Sequence, residues 1–404
     1  MKKVPRLRFR GFQEDWELCK LGTLAEIVRG ASPRPIQDSK WFDNTSDVGW
    51  LRISDVTEQN GRIYKLEQKL SKAGQEKTRV LRKPHLLLSI AATVGKPVVN
   101  YVNTGVHDGF LIFLNPLFDR EFMFQWLEMF TSKWQKYGQP GSQVNLNSEL
   151  VRNQELRIPS TNEQEKIGTL FKQLDDTITL HQRKLDQLKE LKTAYLQVIF
   201  PVKDERVPKL RFADFEEEWE LCKLGDLANI VGGGTPNTNN PKCWDGNIDW
   251  YAPAEIKEKI YVTGSKKRIT ELGLQKSSAK VLPIGTVLFT SRAGIGNTAI
   301  LAKKGTTNQG FQSIIPNKNK LDTYFIFSRT HELKKYGEAV GAGSTFVEVS
   351  GKQMAKMPML TPRFNEQQAI GMFFKKIDDI ITLHQNKLEQ LKDLKTSYLQ
   401  NMFI

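Results

Sequence analysis

Mostly apolar residues recur at alternating steps of four and three in the middle of the chain and again at its end. The first stripe is Leu174, Ile178, His181, Leu185, Leu188, Lys192, Tyr195 and Ile199, and the second is Ile377, Ile381, His384, Leu388, Leu391, Lys395, Tyr398 and Met402. This heptad spacing predicts two long helices, each too polar to be stable alone. A continuous helix over 163–199 would be about 55 Å long.

The two stripes predict a coiled coil in which each helix buries the other. The link "PVKDERVP" after the first stripe is short and bounded by proline, and the returning chain crosses a whole domain before the second stripe begins. We therefore expect an antiparallel pair. His181 and His384 in this seam could form a pH switch or a metal pair, but tolerated polar seam residues are the favoured interpretation.

The helix starts carry a second pattern. Asn162 with Glu165, and Asn365 with Gln368, have the four-residue form of a capping box, in which two side chains satisfy the first free backbone amides of a helix. The sequence therefore predicts that the long helices begin at these asparagines.

A different pattern precedes each long helix. The segments "HLLLSIAA" and "GTVLFTSRA" are short apolar runs typical of strands, and "NTGVHDGFLIFLNP" and "GTTNQGFQSIIPN" alternate around glycine turns. The segments "EFMFQWLEMFTSKWQKY" and "TYFIFSRTHELKKY" then have the spacing of amphipathic helices. Two β-rich domains with some helix are predicted, in the same order of elements.

The chain is an internal repeat with an offset of 203 residues. Between 174–197 and 377–400, 18 of 24 positions are identical, and "WELCKLG" occurs at 16–22 and again at 219–225. Each copy has similar ends around a divergent middle, so the ends share one task and the middles perform two different ones. The predicted boundaries are 1–158 (the first domain), 159–206 (the first helical segment), 207–361 (the second domain) and 362–404 (the second helical segment).

The amino-acid composition indicates the kind of partner that the protein binds. Lys and Arg number 59 against 45 Asp and Glu, a formal net charge of +14, which favours a polyanion such as nucleic acid. No run approaches the 18 apolar residues of a membrane span, and the first residues lack the apolar core of a signal peptide, so we expect a cytoplasmic protein without membrane contact. Three cysteines without zinc spacing, Cys19, Cys222 and Cys243, are expected to be reduced.

Patterns that would indicate catalysis are weak. Residues 294–299 have the G-x-G-x-x-A form of a dinucleotide-binding loop, but the segment that follows is too short for the required helix, so a turn is predicted. Asp249, Glu255 and Lys257 loosely imitate the acidic and lysine residues of a metal-dependent nuclease. The sequence contains no Walker loop and no methyltransferase motif for adenine. We expect no active site, no bound cofactor and no metal in this chain.

Basic segments occupy matching places in the two domains. Residues 65–83 and 257–280 each hold seven Lys or Arg against two Glu. Such side chains neutralise phosphates, whereas Arg, Asn, Gln and Ser on loops can address base edges. The candidate DNA-binding residues are Arg52, Lys77, Arg79, Ser142, Gln143 and Asn145 in the first domain, and Lys266, Lys267, Arg268, Arg292, Asn297, Gln309, Ser344 and Thr345 in the second.

The doubled order of these features resembles the specificity subunit of type I restriction-modification enzymes over essentially the whole chain. The resemblance rests on the repeated helices, on "NEQ" at 162–164 and 365–367, on "WELCKLG" at each domain start, and on "NQGF" at 308–311 and "GST" at 343–345 in the second domain. The first domain departs from it with "HDGF" at 107–110 and "GSQ" at 141–143. This departure fits two domains that read different bases.

The resemblance implies an α+β fold with pseudo-twofold symmetry, in which two β-rich α/β target recognition domains are separated by conserved helical spacers that pair as the coiled coil. It implies that each domain reads one half of a bipartite, asymmetric site in double-stranded DNA. It also implies that the spacers bind two modification (methyltransferase) subunits, which methylate adenine, and that restriction (translocase and nuclease) subunits join them. S-adenosylmethionine, Mg²⁺ and ATP would then belong to these partners.

Two other functions stay open at this point. A coiled-coil scaffold whose basic domains bind protein or membrane would show no sequence-dependent DNA affinity and a weak dependence on salt. A self-sufficient nuclease using Asp249, Glu255 and Lys257 would cleave DNA by itself in the presence of Mg²⁺.

Overall fold

The structure, a computed structural model, describes residues 3–91, 93–134, 146–202, 205–257, 259–292, 294–342 and 348–404. The chain divides into two compact units. The first unit comprises residues 1–183 with 386–404, and the second comprises residues 184–385. Each unit therefore combines a β-rich domain with the first half of one long helix and the last half of the other, which confirms the predicted α+β class.

The described residues of the first unit form three sheets. Its strands are β1 Glu17–Lys20, β2 Glu26–Arg29, β3 Gly49–Leu51, β4 Arg62–Ile63, β5 Arg79–Leu81, β6 Leu86–Ser89, β7 Pro97–Asn100, β8 Thr104–Val106, β9 Phe110–Leu114 and β10 Glu155–Ile158. Its helices are α1 Leu21–Leu24, α2 Ile53–Glu58, α3 Lys72–Glu76, α4 Arg120–Trp134, α5 Ser148–Asn153 and the start of α6 Thr161–Ile199. The sheet orders are β1-β10, β2-β9-β6-β7-β4 and β3-β8-β5.

The five-stranded sheet of this unit is buried on both faces, because successive side chains of a strand point to opposite sides. Along β6, Leu86 and Leu88 belong to a core cluster with the aromatic residues of α4, while Leu87 belongs to a second cluster on the other face. An apolar run without alternation, "LLLS", is therefore what the strand requires.

The second unit repeats this plan. Its strands are β11 Glu220–Lys223, β12 Ala228–Gly232, β13 Trp244–Tyr251, β14 Tyr261–Val262, β15 Lys267–Ile269, β16 Val287–Phe289, β17 Thr298–Leu301, β18 Thr306–Thr307, β19 Gln312–Pro316 and β20 Pro358–Thr361. Its helices are α7 Leu224–Leu227, α8 Glu271–Gln275, α9 Thr323–Ser328, α10 Thr330–Gly341, α11 Gly351–Ala355 and α12 Phe364–Met402. The sheet orders are β11-β20, β12-β19-β16-β17-β14 and β15-β13-β18.

Two predictions about local structure can be compared directly with this unit. The glycine-rich segment 294–299 forms a turn that leads into β17, as predicted, and Gly294 and Gly296 have φ angles of 107° and 99° that favour glycine. The segment "TYFIFSRTHELKKY" forms two helices, not one. Arg329, with φ −91° and ψ 19°, separates α9 from α10.

The two long helices pack antiparallel, as predicted. In the first unit, the rings of Phe171 and Phe403 lie 5.8 Å apart and Lys395 contacts Asp175 at 2.7 Å. In the second unit, Lys192 contacts Asp378 at 2.6 Å and the Tyr195 and Phe373 rings lie 4.9 Å apart. Of the predicted seam residues, Leu185, Leu188, Ile381, Leu388 and Leu391 are buried, and Ile178, His181, Tyr195, His384 and Tyr398 are half-buried.

The predicted capping boxes are wrong. The long helices begin at Thr161 and Phe364, so Asn162 and Asn365 lie inside the first turn. Two amides of the first turn are bonded by backbone, since Glu163 and Gln164 donate to the Ser160 carbonyl at 3.0 Å. The polar residues of this turn serve another purpose.

That purpose is to tie each helix to its own unit. Glu163 accepts two hydrogen bonds from Arg8, at 2.7 and 2.8 Å. Gln164 accepts from the Asp119 amide at 2.9 Å and donates to the Pro159 carbonyl at 2.8 Å. The second copy repeats these contacts, with Glu366 bound to Arg211 and Gln367 bound to Asp322 and Pro362.

Candidate nucleic-acid interface

The two basic segments lie at the surface. In 65–83 six of the seven cations are exposed and Lys69 is half-buried, while in 257–280 all seven are exposed. The first segment spans α3 and β5, and the second spans β14, β15 and α8. Each domain thus presents charge that can neutralise phosphates.

The candidates Arg52, Lys77 and Arg79 occupy three different environments. Arg52 precedes α2 and is held by Asp55, with Nη2 3.0 Å from the carboxylate, so its guanidinium is engaged and only partly exposed. Lys77 ends α3 and is exposed. Arg79 donates from Nε to the Arg29 carbonyl at 2.8 Å.

In the second domain, Lys266, Lys267 and Arg268 are consecutive and all exposed. The ammonium of Lys267 lies 5.7 Å from the ring centroid of Trp244. Nε of Arg268 lies 3.4 Å from the Asp249 carboxylate.

Two loop candidates of the second domain, Gln309 and Arg292, lie at the "NQGF" turn, and a third, Asn297, makes a separate contact. Gln309 is exposed and accepts a hydrogen bond from the Thr235 hydroxyl. A Cβ on Gly310 would lie 3.6 Å from Nε of Arg292, so Arg292 borders this turn. Asn297 is exposed and donates to the Gly294 carbonyl at 3.3 Å. Ser142, Gln143, Asn145, Ser344 and Thr345 lie outside the described residues, and their proposed contacts stay predictions.

The "HDGF" and "NQGF" turns differ in sequence but share one local geometry. Nδ1 of His107 accepts from the Gly109 amide at 2.8 Å, and Oδ1 of Asn308 accepts from the Gly310 amide at 2.8 Å. Burial lowers the pKa of His107 against the pull of Asp108, so the ring stays neutral and can accept. The departure of the first copy from the family pattern therefore conserves the turn and changes the chemistry beside it.

A second loop packs closely on each turn. A Cβ on Gly30 would come within 2.1 Å of the His107 carbonyl oxygen, and a Cβ on Gly233 within 1.9 Å of the Asn308 carbonyl oxygen. Only glycine permits this approach. The paired loops, 30–38 with 107–109 and 233–240 with 308–310, are named the reading loops below.

The sequence interpretation missed two charged residues of the first reading loops, Arg34 and Asp108, and the adjacent Arg29 at the end of β2. Asp108 accepts from Ser32 at 2.8 Å and from Nη2 of Arg34 at 2.9 Å, and its carbonyl accepts from Nε of Arg29 at 2.6 Å. Burial alone would raise the pKa of Asp108, but the Ser32 hydroxyl and the Arg34 charge outweigh it and keep that pKa below its usual range. The position of Asp108 directly after the turn residue was the available signal.

The residues of the nuclease alternative serve structural contacts. The Asp249 carboxylate is buried in β13, where it accepts from Ser265 at 3.1 Å and lies 3.5 Å from Nζ of Lys303. Glu255 accepts from the amides of Ala252 and Lys266 at 3.0 and 2.6 Å. Within the described ranges no group of three or more His, Cys, Asp or Glu is arranged to hold a metal ion. The same part of the chain has no helix long and apolar enough to cross a bilayer.

Comparison with known proteins decides the family. The profile of the type I restriction modification DNA specificity domain matches residues 13–190 and again 216–393. The chain belongs to this family. The two matched stretches lie in the two copies of the repeat, each with its reading loops and most of its long helix.

Named relatives agree with this assignment. The MjaIX specificity subunit of Methanocaldococcus jannaschii is 33% identical over 191 residues, 46% of this chain and 44% of that protein. The EcoR124I/EcoR124II specificity subunit of Escherichia coli is 28% identical over 208 residues, 47% of this chain and 50% of that protein. The chain thus spans about half the length of these relatives in the matches.

Solved structures show the same fold. The S subunit of the type I restriction-modification system from M. genitalium superposes with a TM-score of 0.68 at 13% identity, covering 99% of both chains. A chain from a study of complex assembly and conformational transition of the type I R-M system gives a TM-score of 0.50 at 17% identity, covering 95% of this chain and 96% of that one.

Proposed function

We propose that this chain is the DNA-recognition subunit of a type I restriction-modification complex, in which the first domain, 1–158, and the second domain, 207–361, each read one half of a bipartite, asymmetric site. The observation that carries the proposal is the contrast within each unit. The turn geometry of the reading loops is the same in both, while the polar residues beside it, Asp108 and Gln309, differ. Equal scaffolds with unequal hydrogen-bonding groups suit two different half-sites.

The helices would dock two modification subunits, because identical partners need equivalent surfaces. Leu180 in the first unit and Leu383 in the second are each 67% exposed, at positions 203 residues apart. Leu191 and Leu394 are a second exposed pair with the same offset. Apolar side chains that stay exposed in both copies support a repeated protein contact.

Catalysis would belong to the partners. In this proposal the chain supplies no active site, the modification subunits bring S-adenosylmethionine, and the restriction subunits use ATP and Mg²⁺ on the DNA that the whole complex holds. The engagement of Asp249 and Glu255 in structural contacts supports this division of tasks.

Domain replacement tests the proposal. Residues 23–158 would be exchanged for the equivalent region of another family member, and the methylated motif read by sequencing DNA from cells that hold the complex. We expect one half of the motif to change while the other half is kept. A change in both halves contradicts modular reading, and DNA binding without sequence dependence would favour the scaffold alternative.

A further inference from the structure

The first reading loops present an arginine in a fixed and exposed position. Arg34 follows the buried Pro33 and is 73% exposed in its side chain. The loop around it is anchored by backbone contacts, from the Ala31 amide to the Val106 carbonyl at 2.9 Å, and by the Trp41 indole, which donates to the Pro35 carbonyl at 2.9 Å.

The guanidinium of Arg34 is held in one orientation but keeps hydrogen-bond donors for a ligand. Among the described residues it makes one hydrogen bond, from Nη2 to Oδ2 of Asp108 at 2.9 Å. A guanidinium has five N–H donors, so its remaining donors can address a ligand. Arg52, by contrast, uses both Nε and Nη2 on Asp55.

Stability gives little reason for this arrangement. An ion pair between side chains that are 73% and 37% exposed contributes little, because water screens it. A carboxylate that holds one edge of an arginine does, however, reduce the conformational freedom that binding would otherwise remove. Arg29 and Arg79 lie beside the pair, so the surroundings are cationic.

The second domain has neutral groups at the equivalent positions. Ser32, Pro33 and Arg34 correspond to Thr235, Pro236 and Asn237, and Asn237 is exposed like Arg34. Gln309 takes the place of Asp108 and bonds Thr235 as Asp108 bonds Ser32. At equivalent positions of the reading loops, the first copy thus has an arginine and a carboxylate, and the second copy has two side-chain amides.

Resting on the proposed function, we infer that Arg34, oriented by Asp108, is a specificity-determining residue that reads a guanine in the half-site of the first domain. Arginine matches O6 and N7 of guanine in the major groove with two parallel hydrogen bonds, whereas asparagine and glutamine match adenine. Asp108 acts through Arg34 as a positioning residue. The second domain, with Asn237 and Gln309, has no arginine for this role at the matching position.

The test uses the full chain assembled with its modification subunits. Wild type, Arg34→Ala, Arg34→Lys, Asp108→Asn and the control Arg206→Ala are compared by the methylated motif in cells and by competition binding to single-base variants of the site. Arg206 is also exposed and paired with a carboxylate, that of Glu218 at 3.8 Å, but lies outside the reading loops and outside both basic segments.

We expect Arg34→Ala to remove about tenfold of the discrimination at one G·C pair of one half-site. Arg34→Lys should do the same in part, since lysine lacks the planar fork, and Asp108→Asn should weaken the same position. Arg206→Ala should keep the motif. An unchanged motif in Arg34→Ala, or a first half-site without any G·C pair, overturns the inference. A wild-type complex without a bipartite motif would instead overturn the proposed function.

Discussion

At the residue scale, the Glu of the repeated "NEQ" motif is the anchor of each long helix. Glu163 is fully buried and forms a bidentate ion pair with Arg8, and Glu366 does the same with Arg211. In both copies the partner of the glutamate is an arginine, and the two residues of each pair lie 155 residues apart along the chain. A buried charge that keeps its geometry through duplication serves to fix where the helix starts relative to its domain.

Removing one partner of this pair should be costly. We expect Glu163→Gln to lower the free energy of unfolding by about 3 kcal/mol, because Arg8, whose side chain is only 15% exposed, would lose its counter-charge. Urea denaturation followed by circular dichroism measures the loss. The double variant Arg8→Met with Glu163→Met should be more stable than the single one, since no unpaired charge remains.

The matched control is an exposed ion pair of the same unit. Lys3 and Asp15 lie 3.1 Å apart with side chains 63% and 59% exposed. Asp15→Asn should leave the unfolding transition where it is, because water screens exposed pairs. If Glu163→Gln behaved like Asp15→Asn, the anchoring role of Glu163 would be wrong.

At the element scale, a lysine of one long helix forms an ion pair with an aspartate of the other in both units. The other groups that bind the aspartate differ between the units. Lys395 contacts Asp175 at 2.7 Å and Glu128 at 2.6 Å, and Asp175 is also bound by Arg62 at 3.0 Å. Lys192 contacts Asp378 at 2.6 Å, where the Tyr324 hydroxyl is the other donor at 2.8 Å. Burial and the neighbouring Asp378 raise the pKa of Tyr324, so it stays a donor.

This asymmetry predicts unequal effects of the same substitution. Lys192→Met leaves a buried carboxylate with a neutral hydroxyl, whereas Lys395→Met leaves Asp175 paired with Arg62. We therefore expect Lys192→Met to lower the free energy of unfolding by about 3 kcal/mol and Lys395→Met by about half of that. Thermal and urea unfolding of the two variants side by side checks the order, and a larger loss in Lys395→Met would contradict it.

The elements also show what a sequence can predict. Heptad spacing predicted that the two long helices pack together, and Leu185 and Leu388 of the predicted stripes are buried, as helical periodicity requires. The capping boxes failed because the same letters, "NEQ", were needed for tertiary contacts with Arg8 and Asp119, which no local pattern reveals. Arg34 and Asp108 were missed for the same reason, since they are 74 residues apart and meet only through the packing of two loops.

At the scale of the whole molecule, each unit has the same contact between the end of a long helix and the start of a β-rich domain. In the second unit the Leu210 amide donates to the Val198 carbonyl at 2.9 Å, where the chain leaves α6 and enters the second domain. In the first unit the Leu7 amide donates to the Asn401 carbonyl at 2.9 Å, although the two residues lie at opposite ends of the sequence. The contact is the same, and only one of the two has a covalent connection across it.

The order of the two copies along the chain should therefore be exchangeable. We predict that a circular permutant opened between Lys203 and Asp204, with Ile404 joined to Met1 through a Val-Lys link, still supports methylation of the same motif. Lys203 and Asp204 lie outside the described residues, and their flanks, Val202 and Glu205, belong to the link between α6 and the second domain. The two added residues give the new junction the same length as 199–207, because twice the offset of 203 exceeds the 404 residues of the chain by two.

A permutant opened inside β6, whose leucines are buried, is the matched control and should fail to fold. Insoluble protein or a lost motif in the Lys203 permutant alone would show that the Leu7–Asn401 contact does not stand in for the covalent link.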